Sequence, residues 1–153
     1  MSNIKPLCYA LWMLLLCAVN PALADTATQK AGTFKVVSGT VEVVRNGEVR
    51  SANIGDTLHV GDQVVTSAAS FAGITLYDNT RLTAGPSSSL VIDAFAFSTT
   101  THEGELSASV AKGSLAVISG QLAKANPEKV VFNTNTMTVG VRGTEFIIEA
   151  HGE

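Results

Sequence analysis

Leu106, Ala108 and Val110 alternate with Glu105, Ser107 and Ser109, and this two-residue period returns in short runs along most of the chain. Side chains on an extended strand point to opposite faces in turn, whereas a helix shows a period near 3.6. Val41 and Val43 share one face, with Thr40, Glu42 and Val44 on the other. Ile74 and Leu76 flank Thr75, Leu82 goes with Ala84, and Leu90 with Ile92. Later runs end at Val117 and Ile118, Val131 and Phe132, Met137 and Val139, and Phe146 and Ile148. Turn signals separate them: Asn46-Gly47, a strong hairpin pair, Asp78-Asn79, and the loop GPSSS at residues 85–89. The pattern predicts a single all-β domain of about ten short strands. Glycines precede several runs at irregular spacing, which does not suit a propeller or a strict repeat. Small alternating residues such as Ala84, Ala94, Ala96 and Ala108 point to closely spaced layers, hence a β-roll or solenoid-like fold, with a β-sandwich as the alternative. Residues 121–129 have the length for one helical turn, but Asn126 and Pro127 favour a loop there.

The first 24 residues have a different character. Lys5 precedes an uncharged run from Leu7 to Val19, and Ala22-Leu23-Ala24 offers a small-x-small cleavage site before Asp25. This is the layout of a secretory signal peptide, and its apolar run is short against the roughly 20 residues a membrane span needs. The expected organisation is a cleaved leader at 1–24, a flexible segment at 25–31 and a domain over 32–150. The expected location is the periplasm or the exterior, with no membrane insertion after cleavage.

Cleavage removes Cys8 and Cys17, so the mature chain has no disulfide to support it and relies on its core. Without Lys5, nine basic residues face thirteen acidic ones, and no stretch concentrates the basic residues. The electrostatic footprint of nucleic-acid binding is missing. So is a basic amphipathic helix for a membrane surface.

The stretch GTFKVVSGTVEVVRNGEVRSANIGDTLHVGDQVVTSAASFAGITLYDNTRLTAGPSSSLVI resembles the first half of the FecR-like periplasmic domain family. A G-x-V-x-V-x-R-x-G opening leads to a G-D-x-L-x-x-G-D-x-V-x-T box built on Gly55, Asp56, Gly61 and Asp62. The segments KGSLAVISG and VVFNTNTMTVGVRGTEFII are similar to the family's closing part, which ends in a G-V-R-G-T-x-F signature: Gly140, Arg142, Gly143 and Thr144 here. The resemblance spans about residues 32–149. Asp78-Asn79-Thr80 departs from the family's usual Asp-Gly-Ser, but asparagine tolerates the left-handed backbone a tight turn needs. The best-known members are transmembrane regulators that relay receptor occupancy to a cytoplasmic sigma factor. Here only a leader precedes the domain and the closing signature is followed by a few residues, so control of a sigma factor is not carried over. The resemblance implies a stand-alone exported interaction or scaffold module, with a role in signalling.

The residues themselves do not suggest catalysis. Only His59, His102 and His151 could act as histidine bases, and no G-x-S-x-G elbow accompanies them. His59 is expected on a solvent-facing strand position, and Asp56 and Asp62 are expected to brace turns through side-chain to backbone bonds. His102, Glu103 and Glu105 lie close in sequence and raise a metal site as the sharper reading and a polar turn as the plainer one. No paired carboxylates for glycoside hydrolysis stand out. The expectation is a non-enzymatic protein without cofactor or metal.

Two binding roles follow. One is docking of an unknown envelope protein by strand addition at a sheet edge or through a loop face. The other is a glycan- or cell-wall-binding module, motivated by Phe71, Tyr77 and the Phe95 and Phe97 pair. Core packing is the plainer account of that pair, and the only tryptophan, Trp12, leaves with the leader. Self-association through uncharged edges such as residues 136–139 is a third reading. In the closing signature, Gly140 and Gly143 are expected to allow a bulge or tight turn where a side chain would clash. Arg142 is expected to pair with a carboxylate, Glu145, Asp56 and Asp62 being candidates, in preference to cradling an anion.

Overall fold

One long strand organises the domain. A computed structural model describes residues 29–141 and 143–152, and within it β9 (Gly104–Ile118) pairs with four other strands. Its first half lies between β8 (Ser89–Phe97), antiparallel, and β10 (Val130–Thr134), parallel. Its second half lies between β7 (Arg81–Ala84) and β12 (Glu145–Ala150), both antiparallel. The change of partners falls at Gly113, whose φ of +87° is disfavoured for any residue with a Cβ. Ser88 fastens the bend: its hydroxyl donates to the Ser114 carbonyl and accepts the Ser114 N–H.

The remaining strands extend both halves. From β8 the sheet continues through β5 (Gln63–Thr66) and β2 (Val41–Arg45) to the edge strand β3 (Glu48–Ser51). From β7 it continues through β6 (Phe71–Leu76) and β1 (Lys30–Ser38) to β4 (Thr57–His59). Strand β11 (Thr138–Gly140) hangs from β10 as a hairpin. The nine-strand path from β3 to β4 curls into a half-barrel, so its two halves share one core. The all-β expectation is met by this half-barrel, in which β9 is shared by both halves.

The alternation places the core as the sequence suggests. Val41, Val43, Ile74, Leu76, Leu82, Leu90, Ile92, Leu106 and Val110 are buried, and their intervening neighbours face outward. Asn46 and Gly47 both have positive φ, as the two-residue β2–β3 hairpin requires. Asn79 sits at φ +66°, so the departure from Asp-Gly-Ser keeps the turn.

Two expectations need correction. Among the described residues there are twelve strands, because β1, β4 and β5 escape the pattern and the runs at 106–110 and 117–118 are one strand. In β1 a bulge between Phe34 and Val36 breaks the alternation, and β4 and β5 are too short to show one. Residues 121–129 also form more than a loop: a helix, α1, covers Gln121–Ala125 and a 3-10 turn covers Pro127–Lys129. Burial of Leu122 against the core and a bond from the Gln121 N–H to the Asp78 carbonyl hold the helix. Pro127 opens the 3-10 turn after it and has no N–H to give.

Gly120, which precedes α1, lies on the Asp78–Thr80 turn. An added Cβ would sit 2.3 Å from the Asp78 carbonyl oxygen and 2.4 Å from the Thr80 nitrogen. Both atoms belong to a turn that the buried Asp78 side chain already braces through the Thr80 N–H and hydroxyl. Gly120→Ala is expected to destabilise the domain by about 1–3 kcal/mol, read from the urea midpoint. An unchanged midpoint would mean that the α1 junction can move away.

Candidate functional site

Two places gather the residues singled out in the sequence. The first is the closed end of the curl, where β2, β4 and β5 meet. Asp62 is fully buried there and accepts from Arg45 Nε and Nη2, both at 2.6 Å, and from the His59 N–H at 2.8 Å. Arg45 Nη2 also reaches His59 Nδ1 at 2.5 Å and the Thr57 carbonyl at 3.4 Å. Asp56 accepts the Asn53 N–H at 2.8 Å. Both aspartates thus bond to backbone N–H groups at turns, and Asp62 in addition anchors an ion pair that spans two strands.

His59 is half-buried in this cluster, not turned to solvent as its strand position suggested. Pairing of β2 with β5 sets Arg45 beside the turn from His59 to Asp62 that leads into β5, which a one-strand reading does not register. Its Nδ1 lies 3.8 Å from Asp62, a distance open to an ion pair, yet the guanidinium already donates to that nitrogen. The imidazole is therefore neutral with its proton on Nε2. Burial first, and the neighbouring Arg45 cation second, hold the His59 pKa below its ordinary value, against an opposing pull from Asp62. Between the unfolded value of about 6.5 and the lower folded value, the unfolded chain binds the proton more readily. The stability contributed by neutral His59 is complete above about pH 6.5 and is lost as pH falls below it. The urea midpoint is expected to be lower at pH 5.5 than at pH 7.5, with a smaller difference in His59→Gln. An identical pH response in that variant would place the titrating group elsewhere.

The second place is the opposite, open end. Here β11 and β12, in the two halves of the curled sheet, each have one strand partner and leave an outer edge unpaired among the described residues. A groove of about 440 Å³ runs between them, lined by Met137, Val139 and Gly140 on one side and Gly143, Phe146 and Ile148 on the other. Phe146 packs edge-on against the fully buried Phe132 of β10, with ring centroids 5.5 Å apart. Met137 and Ile147 stand 58% and 69% exposed at its margins.

This geometry changes the reading of the closing signature. A Cβ added at Gly140 or Gly143 would meet nothing within 4 Å, so the expected clash is not there. Both glycines instead line the groove, where a larger side chain would occupy the space. Thr144 accepts the Ser119 N–H through its carbonyl at 2.8 Å, which ties the start of β12 to the end of β9. Arg142 lies outside the described residues. The pairing expected of it with Glu145, Asp56 or Asp62 therefore lies outside them too.

The other candidates disperse. His102 stacks on Phe97, and among the described residues no three His, Cys, Asp or Glu side chains come close enough to share a metal ion. Phe95 is buried and Phe97 packs on the core, while Phe71 and Tyr77 stand at opposite ends of β6. No helix among the described residues is long and apolar enough to cross a membrane. The leader expected at 1–24 and most of the segment expected at 25–31 lie outside the described residues.

Fold and site together define an all-β domain with an open-edged groove between β11 and β12. The chain belongs to the FecR family: the family model described as FecR protein matches residues 62–153, from Asp62 through β12. FecR proteins act in envelope signalling in general, in regulatory and not catalytic roles, and their domains are typically periplasmic. No curated protein and no solved structure matches the chain.

Proposed function

We propose that this protein is an exported, non-enzymatic docking module of the bacterial cell envelope that binds a protein partner at the β11–β12 end. The observation that carries this reading is the groove with its two unpaired strand edges. Free N–H and C=O groups along an edge supply affinity for an added strand, and the apolar groove beside them supplies selectivity. The family's association with envelope signalling supports a regulatory use of the contact. A glycan-binding role has less support, because the aromatic pair that suggested it packs inward.

Ile147 is the residue to change, since it stands exposed on β12 with its side chain outside the core. Ile147→Asp is expected to shift stability by no more than about 0.5 kcal/mol and to abolish capture of the partner from envelope extract. Capture that survives the substitution would locate the contact elsewhere, and sedimentation with peptidoglycan in its place would favour the glycan reading.

A further inference from the structure

The outward face of β12 suggests what kind of strand would dock there. Glu145, Ile147 and Glu149 alternate along that face, all three are exposed and all three border the groove, while Phe146, Ile148 and Ala150 turn toward the core. We infer that the partner segment is an extended strand that sets a basic, an apolar and a basic side chain beside Glu149, Ile147 and Glu145. This rests on the docking reading above and adds its chemistry. Residues abreast on one face of an antiparallel pair have their Cβ atoms about 4.5–5.5 Å apart, near enough for charge to decide the pairing. The two intervening side chains of such a strand would point into the groove, where Val139, Phe146 and Ile148 favour apolar groups.

The same charges argue against pairing of two β12 edges. Two β12 edges pairing antiparallel about Ile147 would set Glu145 of each against Glu149 of the other, a repulsive arrangement. The far edge, β3, carries Glu48 and Arg50 on one face, so it brings one anion for each cation and complements β12 poorly. Charged residues on an edge also discourage unwanted pairing, and here they leave a basic strand as the one that fits.

Two capped peptides, GKVVVKG and GEVVVEG, with a fluorophore at the amino end, test this by anisotropy at low ionic strength. The lysine peptide is expected to bind at least about tenfold more tightly, and added salt should narrow the gap. The double variant Glu145→Lys, Glu149→Lys is expected to reverse the preference. Equal affinities, binding of neither peptide, or a preference that the double variant leaves unchanged would overturn the inference. Where that happens and Ile147-dependent capture of a partner persists, the docking reading stands and only the basic strand is lost. Where the capture is also independent of Ile147, both fall.

Discussion

Arg45→Leu is expected to lower the unfolding free energy by about 3 kcal/mol and the melting temperature by roughly 10 °C. The buried Asp62 carboxylate would keep the His59 N–H and lose both guanidinium bonds, leaving a charge without compensation inside the curl. The cost belongs at the lower end of the range for a broken buried pair, because the arginine side chain is 22% exposed and already shares its charge with water. Asp62→Leu in addition to Arg45→Leu is expected to recover part of the loss, since a matched apolar replacement removes the stranded charge as well. A single variant within about 1 kcal/mol of the parent would show that the pair behaves as a surface contact and that the closed end is held by its apolar core alone.

Phe132→Ala is expected to cost about 3–5 kcal/mol, the range for removing a buried aromatic ring. Its effect should extend beyond stability. Phe132 is fully buried beneath the groove and is the ring against which Phe146 stands. The cavity left behind gives Phe146 room to sink, so β12 would lose its support and partner capture should weaken even where the domain remains folded. Phe132→Leu keeps most of the volume and is expected to cost less and retain capture. Capture undiminished in folded Phe132→Ala would mean that the groove wall does not take part in docking.

Much of the fold was legible from the residues, and the part that was not has identifiable causes. Strands with clean alternation, such as β2, β6 and the first half of β9, emerge with their inward residues correct, because period two and burial on one face are the same fact. The bulge in β1 and the few residues of β4 and β5 erase that period locally. The helix at Gln121–Ala125 depends on a tertiary event, the burial of Leu122 beneath the Asp78 turn, that no propensity of QLAKA reveals.

The site follows the same division. Asp56 and Asp62 were readable as turn braces because each bonds to a backbone N–H three residues before it. Arg45 was not readable as the partner of Asp62, since it faces Asp62 only through the β2–β5 pairing, which sets Val44 opposite Gln63 and which no single strand reveals. The closing signature carried information of a different kind from what its glycines suggested. Their value lies in the space they leave beside β11 and β12, which only the assembled groove makes visible.

The docking claim is tested most directly by a photoreactive amino acid placed at Ile147, at Met137, or at Val49 on the opposite edge, in the organism that makes this protein. All three positions are exposed, so none should disturb the fold. A discrete covalent adduct to one envelope protein is expected from the first two positions and not from the third. No adduct from Ile147 or Met137, or the same adduct from Val49, would contradict the account.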